Sequence, residues 1–265
     1  MPTVVVSPEL LREKLRDDPL LSKAWRIAMG DAEVRALLRM SNVMAVKRLH
    51  YNDHGPVHAT IVAGAALEVF DRLVDAGVEP SSIADGVVET LSEARLIVLL
   101  GALFHDIGNS VHRVNHELIG ALLAAPILDR ILEKLYGGLG ERTYRLRQEV
   151  LHAIYATAYD VQCLSVEAGA VKVGDGLDVA EGRARIPYRL GKLDMHAVSA
   201  LSVKRVEIGE GRERPIAITV YTMDYAGLFQ VEEVMLRKIE TSGIQDYIEV
   251  YLRVGDSPAQ RVYPG

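Results

Sequence analysis

The chain has 265 residues, 49% of them hydrophobic and 25% charged, enough for one sizeable domain or a domain with a smaller companion. Its net charge of −6 argues against general nucleic-acid binding, which draws on basic surface, but leaves room for a small phosphorylated ligand held by a few local cations. The single cysteine, Cys163, excludes an intrachain disulfide and a thiolate metal site. No apolar run approaches the roughly 18 residues of a membrane span. The opening MPTVVVSPELLREKLRDD lacks the cationic flank and cleavage pattern of a signal peptide, so a cytoplasmic protein is expected. Arginine outnumbers lysine 22 to 8, a bias that suits a heat-adapted host.

Up to about residue 190 the chain reads as successive helices. Ser7-Pro8-Glu9 and Asp18-Pro19 are helix starts, each a capping side chain followed by proline in the first turn. Beyond YNDHGP, the residues Val57, Ile61, Val62, Ala65, Val69 and Leu73 recur at helical spacing until Gly77. The segment from about 91 to 106 is apolar on most sides and reads as a central helix. Further helices are expected over about 142–160 and 164–181. After residue 196 the pattern changes. SVKRVEI (202–208) and RPIAITVYT alternate as strands around a Gly209–Gly211 turn, a helix covers Leu228 to Ile239, and Ile248 to Val254 alternate again. The fold expected is mainly α, a helical bundle with a small C-terminal α+β (β-β-α-β) domain. It divides into an N-terminal helical extension (1–40), a central domain (41–195) and the module (196–265). The 246–254 strand reads as an exposed edge open to pairing. Tyr221, Tyr247 and Tyr251 give the module amphipathic surface suited to a homodimer, or simply to covering its own sheet.

Metal-capable side chains gather in four segments. DHGPVHA carries His54 and His58 around Pro56, and proline puts the helix start near Gly55. HDIGNSVHRVNHE carries His105, Asp106, His112 and His116, while His152 flanks an apolar helix face. Leu164, Ala168, Val171, Asp175 and Asp178 follow steps of four and three, so two carboxylates continue an apolar stripe inward. Buried carboxylates must be paired, hydrogen-bonded or metal-bound. A single histidine here is read as an ordinary hydrogen-bonded residue. Jointly, several imidazoles and two carboxylates without a thiolate suit a divalent ion such as iron, manganese, zinc, nickel or magnesium.

The order His58, then His105-Asp106, then Asp175 resembles the HD-domain superfamily of metal-dependent phosphohydrolases. NDHGPVHA, LFHDIGNSVHRVNHE, GDGLDVAEGRARIP and AGLFQVEEVMLRKIETSGIQDYIEV resemble one prokaryotic, mainly archaeal, branch of it. The resemblance spans about residues 41–255 and implies a first metal on His58, His105, Asp106 and Asp175. It implies a second on His116 and His152, bridged by Asp106. Asn109 stands where the superfamily often has lysine, so no role is carried over for that position. The reaction implied is hydrolysis of a phosphate ester or anhydride, with a nucleotide as substrate. Arg113, Arg183, Arg185 and Lys172 are the candidate phosphate cations, each of which also fits a salt bridge or other structural role. His54 and His112 are candidate proton carriers beside Asp106, Glu117 could orient His116, and Asp178 could hydrogen-bond a ligand histidine. Two other readings stay open: a di-iron oxygenase, distinguished by oxygen dependence, and a nucleotide-sensing module with a structural metal, distinguished by binding without turnover.

Overall fold

The computed structural model describes residues 1–180 and 195–265. Helices α1 (Pro8–Arg16), α2 (Pro19–Gly30) and α3 (Ala32–Asn42) come first. They are followed by α4 (Pro56–Asp75), a short α5 (Ser81–Ala84) and α6 (Leu91–Phe104). Then come α7 (His116–Tyr136), α8 (Glu141–Tyr155) and α9 (Val166–Leu177). Pro8, Pro19 and Pro56 sit in first turns, where helix starts tolerate proline, and Asp18 caps α2 by accepting from Leu20 N and Leu21 N. Thr90 and Glu93 cap α6 reciprocally, and nearly every side chain after them on that helix is buried.

Helices α4, α6, α8 and α9 pack against one another in the centre. Small residues set their spacing: a Cβ on Gly174 of α9 would crowd Ala66 of α4. Burial of α6 on almost all sides explains why its sequence is apolar all round rather than striped.

The second part begins with α10 (Met195–Ser202) and a sheet of strands β1 (Val4–Val5), β2 (Val203–Glu210), β3 (Ile216–Thr222), β4 (Ile248–Val254) and β5 (Gln260–Tyr263), in that order across the sheet. Strands β3 and β4 run parallel, joined through a helical crossover over residues 228–240, here called α11; the other pairs are antiparallel. The expected β-β-α-β order is present, with two strands added. Strand β4 is not an edge, because β3 and β5 hydrogen-bond to its two sides. One edge comes from the other end of the chain: Val4 pairs with Ile208, and the Arg72 side chain of α4 donates to both the Pro2 and Ile208 carbonyls.

Three helical expectations change. Helix α8 ends at Tyr155 rather than near 160. Helix α9 starts after its Ser165 cap, leaving Leu164 80% exposed, and ends at Leu177, so Asp178 has left the helix. Helices α3 and α7 lie where no helix was expected; Pro126 inside α7 obscures its pattern. Among the described residues, no helix is long and apolar enough to cross a membrane.

Candidate metal centre

The His105-Asp106 pair sits where α6 stops. His105 keeps helical backbone angles, and Asp106 turns the chain into a tight turn, Ile107–Ser110. Gly108 is required there, since a Cβ would collide with the carbonyl oxygen of His116 at the start of α7. Asn115 enters the left-handed region at φ 58°, which asparagine tolerates better than most residues, and His116 follows. His58 lies in the first turn of α4, and Asp175 lies near the end of α9. The loop before α4 is held by Asn42, whose side chain accepts from His54 N at 2.8 Å and donates to Asp53 at 2.9 Å.

Four donor atoms converge. His58 Nε2 and His105 Nε2 are 3.2 Å apart. His58 Nε2 is 3.3 Å from both Asp106 Oδ2 and Asp175 Oδ1, and His105 Nε2 is 3.4 and 3.6 Å from the same two oxygens. The second nitrogen of each ring is engaged elsewhere. His58 Nδ1 donates to Asp178 Oδ2 at 2.6 Å, and His105 Nδ1 donates to the Ala102 carbonyl at 2.8 Å. Each Nε2 is therefore the ring nitrogen left to face the two carboxylate oxygens, where a metal ion could take the place of a proton. Bonds of about 2.1 Å to one ion would hold neighbouring donors about 3.0–3.4 Å apart, so the group fits a divalent cation. Two donor groups of this kind overlap here: His58, His105 and Asp175, and His54, His58 and Asp106.

The electrostatics favour positive charge at that point. Burial disfavours a charged His105, but the Asp106 and Asp175 carboxylates outweigh it and raise its pKa to about 9. Burial pushes both carboxylates the other way. For Asp106 it is overcome by His105 and His54, and for Asp175 by Lys238 and His105, so both stay well below the usual carboxylate range.

Asp106 has two distinct sides. Oδ2 meets His58, His105 and, at 2.8 Å, His54 Nδ1. Oδ1 lies 3.3 Å from His116 Nε2 and accepts from Asn109 Nδ2 at 2.8 Å. Arg113 approaches the same side, 3.9 Å from Oδ1 and 3.0 Å from His116 Nε2.

The structure gathers His54, His58, His105, Asp106, Arg113, His116, Asp175 and Asp178, but not every predicted residue. His152 stands apart: its Nε2 accepts from Leu164 N at 3.0 Å, because α9 begins just beyond that residue and needs the preceding turn fixed. His112 is exposed and uses Nδ1 to accept from Val114 N at 2.9 Å, which closes the turn before α7. Lys172 is fully buried, and its ammonium donates to the Ala158 and Val161 carbonyls at 2.7 and 2.6 Å. It ties down the α8–α9 loop and is not a phosphate cation. Arg183 and Arg185 lie outside the described residues.

The C-terminal module reaches the centre: Lys238 of α11 donates to Asp175 Oδ2 at 2.5 Å and to the Thr157 carbonyl at 3.1 Å. Burial opposes its charge, yet Asp175 holds its pKa above the usual lysine value. A cavity of about 400 Å³ opens over Asp106 and Asp175, with His54, Arg113 and His116 on the bundle side and Gln230, Val234 and Lys238 on the module side. Lys238 carries no motif of its own. Its only sequence signal is a lysine at the end of a helix whose neighbours Met235 and Ile239 are apolar.

A helical bundle presenting His, His-Asp and Asp in that order around one point defines an HD-type metal centre. The family described as HD domain matches residues 58–180. An uncharacterized protein of Methanocaldococcus jannaschii is 48% identical over 222 residues, covering 84% of this chain and 85% of the relative. No solved structure matches the chain. The chain belongs to the HD-domain superfamily of metal-dependent phosphohydrolases.

Proposed function

We propose that this protein hydrolyses a phosphate ester or anhydride of a small molecule, with a nucleotide as the substrate class. The observation that carries the reading is the set of four convergent donors on His58, His105, Asp106 and Asp175, opening on a cavity of about 400 Å³ with cations at its rim. A divalent ion held there supplies a Lewis acid that acidifies water and neutralises phosphoryl oxygens. In the hydrolysis, the water oxygen bonds to phosphorus, the P–O bond to the leaving group breaks, and the leaving oxygen takes a proton. Arg113 and Lys238 bind the remaining phosphoryl oxygens, the guanidinium through its planar fork. His54 carries the proton, its ring fixed by Nδ1 against Asp106 Oδ2. Tyr51, Asn52 and Gln230 line the cavity and offer the stacking face and amide groups that a nucleobase needs.

The two-ion arrangement expected by resemblance has His116 beside Asp106 Oδ1 in its favour, but His152 is engaged elsewhere. One ion is therefore the reading adopted. A homodimer is also proposed. Val114, Leu118 and Leu122, exposed at 62%, 48% and 68%, form an apolar stripe at one-turn spacing before and along α7.

The test is metal analysis of anaerobically purified protein, followed by phosphate release over a panel of nucleotides with manganese or iron. Metal-dependent release supports the proposal. Turnover that requires dioxygen and releases no phosphate would replace it with an oxygenase, and tight nucleotide binding without turnover would replace it with a sensor.

A further inference from the structure

We propose that the Arg113 guanidinium occupies the position where a second cation would sit, so that this centre works with one divalent ion and one fixed arginine charge. The inference rests on the proposed metal centre and deepens it.

Three acceptor atoms surround one nitrogen of Arg113. NH1 lies 3.0 Å from His116 Nε2, 3.3 Å from Asn109 Oδ1 and 3.9 Å from Asp106 Oδ1. An arginine nitrogen can only donate, so in this 3.0 Å contact, shorter than the 3.3 Å from Nε2 to Asp106 Oδ1, His116 Nε2 accepts. The other His116 nitrogen, Nδ1, then carries the hydrogen. Two acceptors lie 3.0 Å from it, the Arg113 carbonyl and Glu117 Oε2. The lone pair that a second metal would need is thereby directed at the guanidinium. Asp106 Oδ1 is engaged as well, accepting from Asn109 Nδ2 at 2.8 Å. Asn109 also donates to the Asp106 carbonyl at 3.1 Å, so its amide is fixed with the nitrogen on Asp106 and the oxygen on Arg113. The remaining imidazole expected of a second site, His152, serves Leu164.

A guanidinium suits this place better than a lysine would. One edge can stay in the acceptor cluster while the other faces the cavity that Arg113 lines. Among the described residues, Arg113 Nε and NH2 make no hydrogen bond, which leaves a fork for a phosphoryl group. Asn109, neutral and able both to donate and to accept, links the aspartate and the arginine in a way a cationic side chain could not.

The experiment measures manganese stoichiometry of the full-length protein by titration calorimetry and elemental analysis, together with the affinity of manganese-loaded protein for inorganic phosphate. Wild type, Arg113→Ala and Arg113→Lys are compared. We expect one equivalent of manganese in wild type under saturation and one in each variant. Phosphate binding should weaken about tenfold or more in Arg113→Ala and recover in part in Arg113→Lys. Two equivalents in wild type would overturn the inference while leaving the hydrolase reading standing. Unchanged phosphate affinity in Arg113→Ala, with circular dichroism showing a folded protein, would overturn it too. No bound manganese at all would remove the metal centre itself, a different failure. The wild-type stoichiometry needs no variant and decides the question even where a variant fails to fold.

Discussion

The helical bundle and the C-terminal module meet at one cavity and bring opposite chemistry to it. The bundle supplies lone pairs: two imidazole nitrogens 3.2 Å apart, each within 3.6 Å of two carboxylate oxygens. The module supplies Lys238, an ammonium on the far oxygen of Asp175, together with Gln230 and Val234. The bundle side is organised by local order, since turns and caps within a few residues aim each ligand. The module side is organised by tertiary contact alone. The two buried lysines show the same contrast: Lys238 faces a carboxylate and stays charged, whereas Lys172 faces only carbonyls, and burial lowers its pKa to about 8. A charge at the centre of a site therefore depends on what it meets, not on how deep it lies.

The strongest test of this division removes its pivot. Asp106→Ala should abolish metal retention and phosphate release while leaving most helicity intact, because the bundle core does not depend on that side chain. Unchanged metal content would end the assignment.

Removing the module's contribution should cost less. Lys238→Met is expected to lower kcat/KM roughly tenfold to a hundredfold, the range seen when a partner of a ligand is lost, with metal still bound. A change confined to thermal stability would show that the module only supports the fold.

The second lysine should affect stability rather than rate. Lys172→Met leaves the Ala158 and Val161 carbonyls without their donor and should destabilise the protein by about 1–3 kcal/mol. The native pKa of about 8 lies below the usual 10.5. Across that window the unfolded chain keeps a proton that the native chain has released. Stability from this group therefore rises with pH between those values, and its contribution is flat below them. Urea titrations at both ends of the window should show the rise in wild type and its loss in the variant. The smallest effect is expected from His112→Ala, which should change phosphate release by less than about twofold, as surface substitutions usually do.

The part of the centre that could be read from the sequence is the part built on local rules. Proline at the start of α4 puts His58 in its first turn, and the helical steps of α9 place Asp175 inward. The same steps misplace Asp178, which leaves the helix yet still reaches His58 Nδ1. His112, His152 and Lys172 carry the right chemistry, but short-range backbone needs engage each of them, and composition does not reveal that. Lys238 could not be found, because its partner Asp175 is 63 positions away and no periodicity links them. The alternation marks β2, β3 and β4; the short, largely exposed β5 that covers β4 carries too little pattern, and β1 finds its partner only across the chain.

Strand β1 has a further consequence, for the order in which the molecule is assembled. Val4 and Val5 find their partners only at Ile208 and Glu207, so a strand synthesised ahead of the bundle helices must wait for residues about 200 positions later. Contacts of such long sequence separation form slowly, because loop closure must precede them. During synthesis, the bundle helices can collapse on their local contacts while β1 waits for the sheet. Once it docks, the Arg72 guanidinium clamps the Pro2 and Ile208 carbonyls together, and β1 becomes the edge of the sheet opposite β5.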